Sequence, residues 1–148
     1  MWQRADRRGI MNMKNVRVMV DMSVTLLHHG HTRLLHQASK HGTVVVGLTS
    51  DKEILETKGY TPELSYKERK EILLSIRYVD EVVPAPWLIN DAFLDQHEID
   101  FLIHGDDNRN CVSANRIKIL PRTQGVSSTE LRARVLGAVS QQMLKAIR

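Results

Sequence analysis

The sequence predicts an α/β protein with a doubly wound, Rossmann-like five-stranded parallel sheet, helices on both faces and a single domain. Short runs rich in β-branched and apolar residues alternate with segments of helical periodicity along the chain. The second of these runs, at residues 43–48, is almost wholly apolar, as expected for a strand covered on both faces. No internal repeat, low-complexity segment or linker divides the sequence.

Each element follows from a local pattern. The predicted strands lie at residues 16–20, 43–48, 81–83, 101–104 and 117–120. The predicted helices lie at residues 31–40, 51–56, 66–77, 89–97 and 128–147. Asp51 is expected to cap the second helix and Ser65 the third, while Pro84 is expected to end the third strand. Because ligands bind beyond the carboxyl ends of parallel strands, functional residues are expected just after each strand.

The charge of the 148-residue chain is unevenly distributed. The formal net charge is +4 at pH 7, and residues 1–17, with five basic residues against one acidic residue, account for all of it. Residues 1–13 are expected to form a disordered basic leader, or alternatively an anchor for an anionic partner, before a folded domain at residues 14–148. The neutral body argues against nucleic acid or a membrane surface as a partner.

Cysteine content and hydropathy indicate the compartment. The single cysteine, Cys111, excludes an internal disulfide framework and is typical of a reducing environment. No apolar run reaches the roughly 18 residues of a membrane span, and the leader lacks the apolar stretch of a signal peptide. We therefore expect a cytoplasmic protein.

Five of the seven histidines cluster after the first predicted strand. Zinc binding is disfavoured, because the chain has one cysteine and the nearest carboxylates are Asp21 and Asp51. His28 and His31 instead flank Gly30 where a helix begins, and free backbone N–H groups there favour an anion. Two imidazoles at that point can donate hydrogen bonds to phosphate oxygens. In the alternative interpretation, His28 is a satisfied core histidine and His31 a helix cap.

Two further groups of polar residues follow predicted strands. The first comprises Arg122, Thr123, Ser127, Ser128 and Thr129, at the start of the last helix. Arg122 would bring a bidentate phosphate donor to that helix end, although a serine there is also a natural N-cap. The second comprises Gly105, Asp106 and Asp107, after the fourth strand. It is either a solvated acidic turn or a carboxylate site that orients a hydroxyl or ammonium group.

On these residues the sequence resembles the nucleotidyltransferase superfamily defined by a His-x-Gly-His motif. Within it, the sequence is most similar to small cytidylyltransferases of the glycerol-3-phosphate cytidylyltransferase type. The resemblance covers about residues 16–134, with matching segments at residues 28–31, 48–51, 66–70, 76–82, 105–107 and 122–129. Six segments in the same order make it more specific than the His motif alone.

The resemblance implies transfer of a nucleoside monophosphate, usually from CTP, to a phosphate-bearing acceptor, with release of pyrophosphate and with Mg²⁺ bound alongside the nucleotide. His28 and His31 would hold the phosphates and stabilise the transition state. Lys58 would neutralise the triphosphate, and Arg122 would bind its β and γ phosphates. The implied nucleotide contacts are Met22, Ser23, His28, Gly30, His31, Gly105, Asp107, Arg122, Thr123, Ser127, Ser128 and Thr129. The implied acceptor contacts are Thr25, Asp51, Arg69 and Asp106.

The resemblance further implies a homodimer to which residues 66–82 contribute. No residue of the protein is predicted to ligate a metal ion. The chain departs from the family before its His motif, where the usual Gly-Thr/Ser-Phe-Asp is replaced by Met22-Ser23-Val24-Thr25. A Met-Ser run before His-His-Gly-His is similar to cytidylyltransferases linked to phosphonates such as 2-aminoethylphosphonate. We therefore expect a small phosphate or phosphonate acceptor. The alternatives are an adenylyltransferase of the same superfamily and a catalytically impaired nucleotide-binding module.

Overall fold

A computed structural model describes residues 15–147, so the predicted leader at residues 1–13 lies outside the described part of the chain. The strands are β1 (Arg17–Met22), β2 (Thr43–Thr49), β3 (Glu81–Ala85), β4 (Phe101–Gly105) and β5 (Ile117–Leu120). The α-helices are α1 (His29–Ser39), α2 (Asp51–Lys58), α3 (Tyr66–Ser75), α4 (Asp91–Gln96) and α5 (Ser128–Ala146). Within residues 15–147 no helix has the length and hydropathy needed to cross a membrane.

The five strands form one parallel sheet in the order β3-β2-β1-β4-β5. The predicted doubly wound fold is therefore confirmed. The chain runs outward from the central β1 to β2 and β3 on one side, and then continues on the other side through β4 and β5. The strand order reverses between β1 and β4, and a crevice is expected at the carboxyl ends of these two strands.

The central strand buries both of its faces, which explains its apolar sequence. Val18 and Val20 belong to a core that includes Leu35 of α1, and all three are fully buried. Met19 points to the opposite face and belongs to a second core with Leu94 of α4. Because helices cover both faces, the strands are near-continuous hydrophobic runs rather than alternating ones.

Three predicted boundaries were wrong. Ser50, rather than Asp51, caps α2 through its side chain. The helix continues to Lys58 and ends at Gly59, whose φ of 76° is left-handed, so Lys58 belongs to the helix and not to the following loop. Pro84 lies inside β3 instead of ending it, because β3 is an edge strand and its outer side needs no backbone donor. The other helix ends lie within two residues of their predicted positions.

Arg69 of α3 fastens this helix to the ends of the strands. Its side chain is fully buried. Nη1 donates to the carbonyl oxygens of Ser23 and Thr49 at 2.5 and 3.0 Å, and Nε donates to that of Leu64 at 3.1 Å. Nη2 donates to Asp51 Oδ1 at 2.6 Å. One guanidinium thereby satisfies backbone carbonyls from three separate segments.

We predict that Arg69→Ala lowers the free energy of unfolding by about 3–5 kcal/mol, since it leaves buried acceptors without donors and a void beside them. Urea denaturation measures the change. Lys67→Ala, at an exposed position of the same helix, is the matched control and should cost less than about 0.5 kcal/mol. An Arg69→Ala protein as stable as the control would show that the guanidinium does not hold these segments together.

Candidate active site

A cleft of about 950 Å³ opens at the carboxyl ends of β1 and β4. It contains every residue predicted to bind nucleotide or to be catalytic, together with Thr25. These lining residues are Met22, Ser23, Thr25, His28, Gly30, His31, Lys58, Gly105, Asp107, Arg122, Thr123, Ser127, Ser128 and Thr129. The start of α1 and the start of α5 thus share one cleft, which is large enough for a nucleotide and a small second substrate.

His28 and His31 form the cap of α1 and also line the cleft. His28 is the N-cap, and its Nδ1 accepts a hydrogen bond from the Gly30 N–H at 3.1 Å. The Nδ1 of His31 accepts one from the His28 N–H at 3.2 Å, which closes a capping box, and the two ring centroids lie 3.8 Å apart. A Cβ on Gly30 would lie 2.8 Å from Cε1 of the His28 ring, so glycine at this position makes room for that ring. The predicted cap at His31 is therefore confirmed, while His28 is the N-cap instead of a core histidine. Phosphate binding by these two side chains stays a prediction.

Both of these imidazoles are neutral at physiological pH. Burial lowers the pKa of His28, and the nearby His29 and Arg122 charges lower it further. Burial lowers the pKa of His31 to about 3, with further contributions from His28, once that ring is protonated at lower pH, and from the charges of Arg122 and Lys58. Because Nδ1 is an acceptor in each ring, the single proton of each neutral ring is on Nε2. Each histidine can therefore offer an Nε2–H donor to a ligand.

The start of α5 is fixed against the start of α1. Ser127 is the N-cap of α5 and accepts from the Glu130 N–H at 3.1 Å. The hydroxyl of Ser128 donates to the Leu26 carbonyl oxygen at 3.1 Å and accepts from the Leu26 N–H at 3.4 Å. These contacts join segments that are far apart in sequence, and they bring two helix N-termini, with their positive dipole ends, to one cleft.

Two basic side chains lie on the wall of this cleft. Lys58, the last residue of α2, holds its Nζ 5.5 Å from the centre of the Trp87 ring. Arg122 lies after β5, half exposed, with its Nη1 3.2 Å from Asp107 Oδ2. A Cβ on Gly105 would lie 2.9 Å from Arg122 Cγ, so glycine at this position makes room for the arginine. Both cations are available to a polyanionic ligand.

Three of the predicted acceptor contacts do not line the cleft. Arg69 and Asp51 bind each other, and the guanidinium is fully buried. Asp51 also accepts a hydrogen bond from the Tyr66 N–H at 3.0 Å, at the start of α3. Asp106 is exposed and lies in a neighbouring depression with Thr123. In this structure Arg69 and Asp51 stabilise the fold around the cleft.

The polar residues of the cleft that were not predicted from the sequence include Asp21, His104 and Asn110. Asp21 is next to the last residue of β1, and its Oδ1 is buried and accepts no hydrogen bond from the described residues. Its Oδ2 lies 3.4 Å from His104 Nε2 and accepts from Asn110 Nδ2 at 3.0 Å. Asp21 and His104 could have been found from sequence, since each is a polar residue near the carboxyl end of an apolar strand.

No group of three metal-ligating side chains occurs in the part of the chain that the structure describes. Mg²⁺ commonly keeps several waters and is held largely by substrate phosphates. The side chains of the described residues are therefore compatible with Mg²⁺ that binds together with a nucleotide, and they form no separate Mg²⁺ site of their own.

Two helix N-termini and two basic side chains lie at the switch point of this parallel sheet. This arrangement is typical of nucleotide-binding α/β proteins. Comparison with known proteins identifies the family. The model of the cytidylyltransferase-like family matches residues 25–134, which include the His motif and Arg122. The chain therefore belongs to the cytidylyltransferase-like family.

Similar proteins include ethanolamine-phosphate and choline-phosphate cytidylyltransferases. An ethanolamine-phosphate cytidylyltransferase from Arabidopsis thaliana is 36% identical over 93% of this chain and 36% of its own length. One from Mus musculus is 37% identical over 89% of this chain and 35% of its length. Choline-phosphate cytidylyltransferase 2 from Arabidopsis thaliana is 34% identical over 88% of this chain and 48% of its own length. The chain thus spans about a third to a half of the length of these relatives.

A solved structure supports the same fold. The lipopolysaccharide core biosynthesis protein from Thermoplasma volcanium aligns with a TM-score of 0.62, covering 74% of this chain and 98% of that one. At 18% sequence identity, this likeness concerns the fold alone.

We predict that acid destabilises the protein through His31. The pKa of His31 is depressed to about 3, so its stabilising contribution is complete above about pH 6.5 and is lost as the pH falls towards 3. Between pH 7 and pH 5, the free energy of unfolding of wild type should fall by about 2 kcal/mol more than that of His31→Gln, whose side-chain amide can still accept the capping hydrogen bond. Urea denaturation at each pH measures this difference.

His41→Gln controls for the loss of a histidine as such, because His41 is exposed and lies outside the cleft. Equal pH dependence in wild type and His31→Gln would contradict a neutral, buried imidazole at position 31.

Proposed function

We propose that this protein transfers the cytidylyl group of CTP to a small phosphate or phosphonate acceptor and releases pyrophosphate. An acceptor oxygen attacks the α-phosphorus, a new P–O bond forms, and the bond to the bridging oxygen breaks as pyrophosphate leaves with the electron pair. The observation that carries this proposal is the convergence of the α1 and α5 N-termini on one cleft. Membership of the cytidylyltransferase-like family supports it.

Neutral histidines suit this chemistry. His28 and His31 would donate from Nε2 to oxygens that gain charge during transfer. Because their pKa values are depressed, they stay hydrogen-bond donors without adding positive charge that would trap the ground-state nucleotide. Catalysis would then consist of positioning and charge stabilisation, with no covalent intermediate on the protein.

The positive charge needed for a triphosphate would come from the cleft wall. Arg122 and the N-terminus of α5 would bind the β and γ phosphates. Lys58, at the end of α2, would move from the Trp87 ring to the triphosphate. Mg²⁺ bound with the nucleotide would neutralise part of its charge, in keeping with the donor set of the cleft.

The acceptor is proposed to carry an ammonium group. Asp21 Oδ1 is buried and has no hydrogen-bond partner among the described residues, so an N–H group of the substrate could donate a hydrogen bond to it. Relatives named for ethanolamine phosphate and choline phosphate favour such a class. A primary ammonium can donate to Asp21, whereas a trimethylammonium group has no N–H to donate. We therefore favour aminoethyl phosphates or phosphonates over choline phosphate.

We also propose a homodimer in the cytoplasm. The family resemblance assigns residues 66–82 to the dimer contact, and within them Leu74 of α3 is 42% exposed. The single cysteine supports a reducing compartment.

A pyrophosphate-release screen tests the proposed function. It crosses CTP, ATP, GTP and UTP with ethanolamine phosphate, choline phosphate, 2-aminoethylphosphonate and glycerol 3-phosphate. We expect turnover with CTP and the aminoethyl acceptors, and Asp21→Asn should raise the acceptor KM by about tenfold, because it removes the carboxylate charge proposed to face the ammonium group. Turnover with ATP alone would indicate an adenylyltransferase. CTP binding without turnover of any acceptor would indicate a nucleotide-binding module.

We predict that His28→Ala and His31→Ala lower kcat by roughly 100-fold or more while changing the Kd for CTP less than about fivefold. The reason is that their donors act on charge that develops in the transition state. Steady-state kinetics and calorimetric CTP binding separate the two effects.

Lys58→Ala should mainly raise the KM for CTP, with a smaller effect on kcat.

His41→Ala is the matched control and should leave both quantities unchanged. Equal losses of kcat and of CTP affinity in the two histidine variants would assign His28 and His31 to ground-state binding.

A further inference from the structure

His104 is a titratable residue of the cleft to which the reaction described above assigns no role. It precedes the last residue of β4 and is 19% exposed. Its Nε2 lies 3.4 Å from Asp21 Oδ2, and its Nδ1 lies 3.0 Å from the Gly105 carbonyl oxygen and 3.6 Å from Asp107 Oδ1. The ring therefore bridges the ends of β1 and β4.

The surroundings of this ring require two N–H groups. Both nitrogens face oxygens that only accept hydrogen bonds, so a neutral ring would direct a lone pair at one of them. Burial by itself lowers the pKa of His104, but the hydrogen bond and charge of Asp21, with Gly105 and Asp107, raise it to about 9. His104 is an imidazolium at neutral pH, unlike His28 and His31.

Asp107 connects this imidazolium to the phosphate-binding side of the cleft. One of its oxygens faces His104, and the other lies 3.2 Å from Arg122 Nη1. Asp21, His104, Asp107 and Arg122 thus form a row of alternating charges with no net charge. Without the imidazolium the row would carry one negative charge, beside a site for a polyanion.

We propose that His104 is a positioning residue whose imidazolium takes up part of the charge of Asp107 and so leaves the Arg122 guanidinium available to nucleotide phosphates. This inference rests on the proposed function, because it assigns a role within the same nucleotide site. Asp107 has two cationic partners, His104 and Arg122. The charge of each cation weakens the net attraction that the other one feels towards Asp107. If His104 lost its charge, Asp107 would hold Arg122 alone and draw it away from the nucleotide.

Replacing His104 with glutamine removes the charge and keeps a side chain that can donate hydrogen bonds. We expect His104→Gln to raise the KM and the Kd for CTP by about tenfold, with kcat changed less than about threefold, since one unit charge near a guanidinium is lost. His41→Gln, outside the cleft, controls for the loss of a histidine. Unchanged CTP affinity in His104→Gln would overturn the proposal.

The double variant His104→Gln/Asp107→Asn separates positioning from packing. It removes the carboxylate that would capture Arg122, so it should recover most of the CTP affinity that His104→Gln loses, to within about threefold of Asp107→Asn alone. A purely structural role for His104 predicts no recovery. A double variant as weak as His104→Gln, or weaker, would overturn the proposal.

The pH dependence provides a further measurement that a packing role would not change. The charged groups facing His104 are Asp21 and Asp107, with Arg122 behind Asp107. The charge of His104 is complete below its raised pKa and is lost as the pH rises through about 9. The wild-type Kd for CTP should therefore rise between pH 8 and pH 10, more steeply than that of His104→Gln. Parallel profiles would contradict the proposal.

The two levels of interpretation fail differently. If wild type turns over CTP and His104→Gln matches it, this inference alone is wrong. If wild type neither binds nor turns over any nucleoside triphosphate, the proposed function is wrong, and this inference with it.

Discussion

The hydrogen bonds between the Ser128 hydroxyl and the backbone of Leu26 are the contact on which the cleft depends. α5 has no buried residue, so apolar packing does little to fix its position. Its first two turns are held by this polar contact and by the Arg132 guanidinium, which pairs with Glu63 and lies over the Tyr60 ring. Because of these contacts, two helix N-termini that are distant in sequence act on one volume.

The same side-chain type serves opposite electrostatic purposes in this volume. His31 sits near other cationic groups and away from water, so its ring is neutral. His104 sits between two carboxylates, so its ring is charged. The protonation state follows from the neighbours in each case and not from the residue type. The cleft thereby combines neutral imidazoles that can donate hydrogen bonds with an imidazolium that is charged at neutral pH.

The fold and about half of the residues that line the cleft could be predicted from the sequence. Apolar strand runs, helix caps and the His-x-Gly-His motif are short-range features, and together they predicted the sheet and the residues of both helix starts. Features that depend on tertiary contacts were not predictable. Arg69 carries a charge and lies in a motif, yet only the assembled fold shows that its guanidinium faces three backbone carbonyls. Local sequence rules predict that Pro84 ends its strand. The strand continues through Pro84 because it lies at the edge of the sheet, where its outer side needs no backbone N–H donor.

Asp21 and His104 show the same limit at the site itself. Each is one polar residue at the end of an apolar strand, and the sequence does not reveal that the two strands are neighbours. Their pairing, and with it the charge of the imidazole, comes from the strand order. Sequence position indicates that such residues lie at the functional edge of the sheet, and the structure supplies their chemistry.

A CTP titration followed by backbone amide NMR tests the central claim most directly, because it reports on both helix starts in one experiment. We expect the amide resonances of residues 29–31 and those of residues 127–130 to shift together, with one common dissociation constant. Shifts confined to one helix start, or two separate dissociation constants, would show that the two N-termini do not bind the same triphosphate.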